Sequence, residues 1–494
     1  YNPITGLKRR LPRRLTPRKK RKTTSSTVSG RSISEDAMDA YFLYILGHKK
    51  CLLYLLLLMT IGFDFNSPEG AYIGNFFILS AAAFAQKAVI MLRLDSEVMD
   101  LRDADLQDNG YNKDLEDITL ASYVNDDECE NSTRFSKLEI MTMMHYLQLG
   151  DGMGYLRIYY NGNVYYKFRA VTLFLYMLRK MSTGRTHKDL ADNEFGGDSG
   201  RWGKGYRWMV KYVDHKCRPL IGPRALELWA PQFPYFAETL REYIMRDKER
   251  VDENGNFINV LNMGGLYIPP NTFNIFSVTD CTFYELCRLG SGPAIDIPGA
   301  PRRQNWYVRQ RAFYSGYQRG MEACMKLLTI CLPNGLTGAV YGPTSGRQDD
   351  RTLFRLGQFD DFIRDLCIHF HGAGSLFCTY GDGIFAGYWY CMRTRHEPTA
   401  QMPLHPWQIV ENDNMKAVRE SVEWSYARAE QLWPLMNKKQ AHVLEWDPDV
   451  VFGQFRVMYW LTNCKVCAEG GSTMTGNRMF ACPPPSLQEY LAMA

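Results

Sequence analysis

The sequence predicts an α/β fold, in which a mixed sheet with flanking helices follows an all-α region. Two observations support this prediction. Apolar residues recur at helical spacing through much of residues 135–250, and residues 273–433 then read in the order strand, strand, strand, helix, strand, helix. Hydrophobic residues make up 46% of the 494 residues, which is enough for large cores. We therefore expect most of the chain to be globular.

The first 34 residues differ from the rest in charge. They contain eleven Lys and Arg and no Asp or Glu, whereas residues 35–494 contain 47 basic and 53 acidic side chains. Segment 1–34 has too few apolar residues to form a core, so we expect a disordered basic tail. Such a run is typical of a nuclear address or a nucleic-acid-binding arm, and the alternative is a solvated tail without a specific role. We therefore expect a protein of the nucleus.

Segment 35–134 is predicted to contain helices and then an acidic linker. Its apolar run 51–62 has about 12 residues, against the roughly 20 that a membrane span needs, so a buried helix is favoured. The thirteen Cys show no framework spacing and no secretory signal is visible, which favours a reducing compartment. Cys464 and Cys467 form a lone pair, for which free buried thiols are favoured over a zinc site.

Segment 135–268 is predicted to be a helical DNA-binding region. Ser136 and Glu139 match a capping box at the start of its first helix. Residues 182–212 show a turn, a short helical piece, a Gly-Gly break and a longer helix, the layout of a helix-turn-helix whose second helix enters the major groove. One face of that helix is basic, and we predict that it contacts DNA through Arg201, Lys204, Arg207 and Lys211. The alternative is the solvated face of an ordinary packed helix.

Segment 269–494 is predicted to hold the sheet. Its strands are 273–279, 325–332, 336–341 and 375–380. The second and third strands flank an Asn-Gly pair, which between apolar runs is a strong hairpin signal. A helix that begins at Asp349 or Asp350 and runs to about residue 369 separates the third strand from the fourth. A second helix, 415–433, follows the fourth strand, with polar residues 412–414 as its predicted cap and Pro434 at its end.

Three carboxylates have a recognisable placement in this segment. Asp280 ends the first strand, Asp382 follows the fourth, and Glu423 lies on the last helix. This is the layout of an RNase H-like nuclease core, in which strand ends and one helix face bring three acids to a sheet edge. Phosphodiester cleavage with two divalent metals needs such oxygen ligands, which Mg²⁺ and Mn²⁺ prefer. Taken singly, the two Asp are turn or strand-end residues, and Glu423 is a surface partner of Arg419.

Four short motifs extend this pattern into a resemblance. They are Val-Thr-Asp-Cys-Thr (278–282), the hairpin and Gly-rich loop with the Asp pair that follows (332–350), Tyr-Gly-Asp-Gly-Ile-Phe (380–385) and Val-Arg-Glu-Ser-Val-Glu-Trp (418–424). In this order they resemble the DDE endonuclease domain of PIF/Harbinger-type transposases, the eukaryotic relatives of bacterial insertion elements. The resemblance covers residues 273–490, about 45% of the chain, and extends more weakly to the helical region before it.

The resemblance implies a transposase that cuts DNA at the ends of a mobile element and joins the 3′-OH to target DNA. It makes Asp280, Asp382 and Glu423 the catalytic residues and the ligands of two Mg²⁺ or Mn²⁺ ions per active site. Arg419 would touch phosphate, and Asp350 would be a fourth carboxylate or, as we favour, a helix cap. The implied partners are terminal inverted repeats, target DNA, further copies of this chain and a separate Myb-like protein.

Two departures from the family pattern support an alternative. Cys281 replaces the Gly that usually follows the first Asp, and Asp349 stands where the family has a His before Asp350. The alternative is a catalytically inactive or domesticated copy that binds DNA or a partner protein. Glu420 is the alternative third acid, and Glu423 is preferred because it follows a Val as in the motif.

Overall fold

The computed structural model describes most of the chain from residue 118 onward. The described ranges are 118–149, 154–160, 164–251, 257–259, 274–286, 323–372, 374–385, 388, 391–399, 402–437, 448–476 and 479–494. All of them belong to one compact unit. The predicted basic tail 1–34, the apolar run 51–62 and the helices expected before residue 101 lie outside the described residues. Within the described ranges, no helix is both long enough and apolar enough to cross a membrane.

Helices make up most of the described chain before residue 245. They are α1 (Asp126–Thr133), α2 (Lys137–Tyr146), α3 (Ala170–Thr183), α4 (His187–Leu190), α5 (Ser199–Ile221), α6 (Leu226–Trp229) and α7 (Phe233–Ile244). The predicted capping box is confirmed, because the N–H of Glu139 donates to Ser136 Oγ and the N–H of Ser136 donates to the Glu139 carboxylate. Part of the predicted acidic linker is helical, since α1 lies within it.

Two hairpins interrupt these helices, so the prediction of an all-α region was wrong. The first pairs β1 (Tyr155–Tyr160) with β2 (Val164–Arg169), and the second pairs β3 (Arg246–Val251) with β4 (Phe257–Asn259). Leu156 and Ile158 are buried on β1 and Phe168 is buried on β2. This spacing of two residues is the period of a strand, which the prediction overlooked in a stretch rich in Tyr.

A five-stranded mixed sheet occupies the C-terminal part. Its strands are β5 (Ile275–Glu285), β6 (Cys324–Cys331), β7 (Thr337–Ser345), β8 (Cys378–Tyr380) and β9 (Met392–Arg393), in the spatial order β7-β6-β5-β8-β9. Strand β6 is antiparallel to β5 and β7, whereas β8 is parallel to β5 and to β9. The predicted β6–β7 hairpin is confirmed, and Gly335 in its turn has a φ of 80°, which favours glycine.

Helices cover both faces of this sheet. They are α8 (Asp350–Leu356), α9 (Phe359–His371), α10 (Pro406–Leu432), α11 (Pro448–Ala468) and α12 (Leu487–Ala492). On one face, Tyr284 of β5 bonds Tyr459 of α11 through their hydroxyls (2.7 Å), and Thr329 of β6 bonds Tyr426 of α10 (2.7 Å). On the other face, Lys326 of β6 pairs with the first residue of α8. Side chains alternate along a strand, which accounts for this division.

One buried core joins the helical part to the sheet. Helix α5 packs closely on α11, and a Cβ at Gly453 of α11 would lie 3.4 Å from side-chain atoms of Val210 and Asp214. Arg456 of α11 donates to both Asp214 carboxylate oxygens (2.7 and 2.8 Å) and to the Gly342 carbonyl of β7 (2.7 Å). The predicted segments 135–268 and 269–494 therefore share a core.

Three predicted boundaries were wrong for identifiable reasons. Strand β5 does not end at Asp280, because β6 pairs with it as far as Glu285. The predicted helix 349–369 is two helices, since Gln358 between α8 and α9 has a φ of 57°. Helix α10 begins at Pro406, and its residues 412–414 are not a cap. Instead, Asn414 Nδ2 donates to the Ile244 carbonyl (2.6 Å), so a cap-like side chain makes a tertiary contact from inside the helix.

The predicted helix-turn-helix corresponds to α4 and α5, and α5 continues to Ile221 as part of the core. Arg201 is buried, and its Nη2 donates to the Lys167 carbonyl of β2 (2.7 Å). Lys204 Nζ donates to the Tyr166 hydroxyl (3.1 Å), and Arg207 and Lys211 are half-buried. The start of the basic face thus packs on a hairpin, and its contact with DNA stays a prediction.

Candidate active site

Asp280 lies within β5, and Asp382 occupies the corresponding position just after the neighbouring parallel strand β8. Strands β5 and β8 pair Val278 with Tyr380, and each carboxylate comes two residues after its member of this pair. The backbone just before Asp382 is closely packed, because a Cβ added at Gly381 would lie 2.8 Å from the Phe385 ring. Two of the three predicted acids thus lie at the same level, where β8 ends beside β5, and we call this position the sheet edge.

Asp280 has an unusual protonation equilibrium for a carboxylic acid. Burial is the main cause that raises its pKa from 3.8 to about 6, and the negative charges of Asp350 and Asp382 add to the rise. The Cys281 N–H, which donates to Asp280 Oδ1 (2.8 Å), and the charge of Arg419 act in the opposite direction. At neutral pH the ionised Asp280 therefore lacks full compensation, and a bound cation would supply it.

A cleft of about 620 Å³ opens beside Asp382, between the end of β8 and helix α10. Its acidic lining residues are Asp382, Asp413, Glu420 and Glu423, and its basic ones are Arg395, Lys416 and Arg419. Asp280 is not one of the lining residues, but the charges of Asp382 and Arg419 act on its carboxyl group. The predicted sites Asp382, Glu423 and Arg419 thus share one concave surface.

Arg419 is directed at the predicted catalytic carboxylate Asp382. Its Nη1 lies 3.6 Å from Asp382 Oδ1, and both side chains are exposed. The N–H of Gly383 also donates to Asp382 Oδ1 (2.5 Å). A guanidinium held in this way at a cleft presents further N–H donors to an anionic group, and phosphate matches its geometry.

Glu423 is carried on a helix that is fastened to the Asp280 strand. Tyr426, less than one turn after Glu423, donates its hydroxyl to the Asp280 carbonyl (2.9 Å) and shares a second hydrogen bond with Thr329. Glu423 and Glu420 are both exposed to the cleft. These hydrogen bonds of Tyr426 define the position of α10 relative to the sheet. They do not bring either carboxylate into contact with Asp280.

The favoured role of Asp350 as a helix cap was wrong. Asp349 caps α8, since its Oδ1 accepts from the Thr352 N–H (2.7 Å). Asp350 pairs instead with Lys326, a buried residue of β6 whose Nζ also lies 4.6 Å from the centre of the Phe283 ring. Asp350 therefore acts on Asp280 through its charge, and Lys326 offsets that charge.

Sequence reasoning missed Lys326, Arg395, Lys416 and Tyr426. Lys416 had a visible signal, because it lies three and seven residues before Arg419 and Glu423 on one helix face. Lys326 is a single charge inside the otherwise apolar run of β6, a placement that indicates a buried ion pair. The contacts of Tyr426 depend on how α10 crosses the sheet, which no local pattern reveals.

No group of three or more His, Cys, Asp or Glu side chains stands ready to hold a metal ion in the described part of the chain. Cys464 and Cys467 are buried and form no disulfide. Comparisons of the chain with models of protein families, with curated proteins and with solved structures found no match. The geometry at this sheet edge is therefore the basis for a functional assignment.

Proposed function

We propose that the protein is a metal-dependent DNA endonuclease of the DDE transposase type, built on an RNase H-like core. The observation that carries this proposal is the register at the sheet edge, where Asp280 and Asp382 both follow the Val278–Tyr380 pair by two residues. The strand order β7-β6-β5-β8-β9, with only β6 antiparallel to β5, supports the proposed core. Helix α10 brings Glu423 to the adjoining cleft.

The proposed reaction is cleavage of phosphodiester bonds at the ends of a mobile element, followed by joining of the 3′-OH to target DNA. Its substrate is DNA, and the basic segment 1–34 suits both a nuclear address and salt-dependent DNA affinity. Further copies of the chain and a Myb-like protein remain proposed partners. The resemblance of the motifs around Asp280, Asp382 and Glu423 to PIF/Harbinger-type transposases supports this assignment.

The side chains at this edge suit Mg²⁺ or Mn²⁺. Asp280, Asp382 and Glu423 offer carboxylate oxygens, the ligands that hard divalent cations prefer. Burial is the main cause of the raised pKa of Asp280, and the neighbouring acids add to it. The raised pKa fits such a site, because a bound cation would offset these negative charges. Two cations held by these residues would supply activation of the attacking water or 3′-OH and stabilisation of the leaving oxygen.

The remaining residues of the site hold the substrate and the acids in place. Arg419, with Arg395 and Lys416 on the same cleft, binds the phosphates on either side of the cleaved bond. Tyr426 keeps α10 fastened to β5 through the Asp280 carbonyl. Lys326 pairs with Asp350 and offsets the charge through which this acid acts on Asp280.

A pair of variants on α10 tests the proposal. Glu423→Gln is expected to reduce Mn²⁺-dependent nicking of plasmid DNA by more than about 100-fold, because it removes a cation ligand. Glu420→Gln, which alters an exposed carboxylate on the same cleft, is expected to stay within about threefold of wild type. Equal activity of both variants and wild type, or cleavage that persists in EDTA, would contradict the proposal. A loss of activity confined to Glu420→Gln would instead identify Glu420, about one turn earlier on the helix, as the third acid.

A further inference from the structure

The cleft lined by Asp382, Glu420 and Glu423 is called the carboxylate cleft below. A second concavity of about 290 Å³ lies beside it. It is bounded by α10, by the β6–β7 turn at Gly335 and by residues 472–474. Trp424 lines both concavities, and 39% of its surface is exposed. The two concavities therefore meet at Trp424, and we call the second one the indole pocket.

The arrangement follows from the geometry of α10. Lys416, Arg419 and Glu423 recur at spacings of three and four residues and line the cleft. Trp424, Arg428 and Gln431 recur at spacings of four and three residues and line the indole pocket. Since Glu423 and Trp424 are consecutive, the two lining faces are neighbours. A polymer whose charged backbone lies in the cleft would thus have its side groups next to the indole.

The walls of the indole pocket suit a flat, partly polar ring. The indole supplies an apolar face, and Val466 and Met474 add further apolar surface. Gln431 and Thr473 supply an amide and a hydroxyl at the pocket wall. Nucleobases combine an aromatic face with polar edges, and they stack on exposed aromatic side chains largely irrespective of sequence.

We propose that the indole pocket takes an unpaired nucleobase of the DNA strand whose phosphates lie in the carboxylate cleft. This inference rests on the proposed function and names its preferred substrate, DNA with an unpaired nucleotide beside the cleaved bond. Taking a base out of a duplex costs free energy, and the cost is lowest where the base is already unpaired. Duplexes with a single-stranded overhang should therefore bind more tightly than blunt duplexes of the same sequence.

The test measures DNA binding without cleavage. Fluorescence anisotropy in EDTA compares a blunt duplex with the same duplex carrying a single-stranded overhang, and a 2-aminopurine in the overhang reports stacking. Wild type is expected to prefer the overhang by about 10-fold or more, and Trp424→Ala is expected to lose that preference together with the 2-aminopurine quenching. Trp424→Phe should keep most of both effects, since it keeps an aromatic face. Ile409→Ala is the matched control, because it removes another exposed apolar side chain of α10.

The outcomes separate this inference from the proposed function. If Trp424→Ala keeps the overhang preference and the quenching while its melting temperature equals that of wild type, the inference is overturned, and Mn²⁺-dependent cleavage by wild type still supports the endonuclease. Equal binding of both duplexes by wild type would overturn the inference in the same way. If wild type binds neither DNA and cleaves none, both the inference and the proposed function are overturned.

Discussion

Asp280→Asn is expected to reduce divalent-cation-dependent DNA cleavage by about 1,000-fold or more and to leave DNA affinity in EDTA unchanged. The substitution keeps the shape of the side chain and removes the charge that, on the proposed function, binds a cation. Arg395, Lys416 and Arg419, the proposed phosphate contacts, stay in the cleft. Plasmid nicking and anisotropy measure the two quantities separately. Asp413→Asn, which changes an exposed acid of the same cleft, is the control and should retain activity.

The same substitution should stabilise the cation-free protein at neutral pH. The folded-state pKa of Asp280 is raised to about 6, so the native state binds more protons than the unfolded state between about pH 4 and 6, and stability falls as the pH rises through that window. Removing the charge should raise the free energy of unfolding at pH 7.5 by ~1–3 kcal/mol. Urea denaturation in EDTA at pH 4.5 and 7.5 measures it. Loss of activity together with destabilisation at pH 7.5 would point to misfolding and contradict the assigned role.

Asp214→Asn is expected to destabilise the whole described unit by about 3 kcal/mol or more. The carboxylate is buried and accepts two hydrogen bonds from Arg456, which also donates to Gly342 of the sheet. The substitution therefore removes the charge that pairs with this largely buried guanidinium. The packing contact among α5, α11 and β7 then loses its central ion pair. Urea denaturation followed by circular dichroism measures the change.

The contribution of the Asp214–Arg456 ion pair to stability should decrease at low pH. Burial raises the pKa of Asp214, but hydrogen bonds and charge from Arg456, with a further contribution from Arg218, outweigh burial and hold the pKa below its usual value. Its contribution to stability is therefore present above about pH 4 and is lost as the pH falls through the folded-state pKa. Glu238→Gln is the matched control, because its pair with Arg241 is exposed, and its cost should stay below about 1 kcal/mol. Equal costs for the two variants would show that Asp214 does not hold the core together.

Local sequence signals predicted the elements whose determinants lie within a few residues. The Asn-Gly turn between β6 and β7 and the capping box of α2 were both found in this way. Local sequence signals gave wrong predictions where a side chain contacts residues that are distant in sequence. Asn is a common helix cap, but the Asn414 side chain donates hydrogen bonds to carbonyls at the end of α7 and the start of β3. The predicted start of α10 was therefore wrong.

The candidate site shows the same division. Chain order predicted that Asp280, Asp382 and Glu423 would lie near one sheet edge, because parallel strands and a following helix constrain where such residues lie. In the structure Asp280 aligns with Asp382, and Glu423 lines the same cleft as Asp382. The ion pair of Lys326 with Asp350 and the hydrogen bond from Tyr426 to the Asp280 carbonyl join residues far apart in sequence, and only the packed structure reveals them. The exposure of Trp424 to two concavities likewise follows from packing that the local sequence does not reveal.

The binding of Mn²⁺ by the intact protein tests the central claim most directly. Thermal unfolding with increasing Mn²⁺ should show a saturable rise in melting temperature for wild type, since a ligand bound only by the native state stabilises it in proportion to ln(1 + [L]/Kd). The affinity should weaken below about pH 6, where Asp280 takes up a proton. The double variant Asp280→Asn with Asp382→Asn should show no such rise. Equal stabilisation of both proteins, or none for wild type, would contradict a carboxylate cation site at this sheet edge.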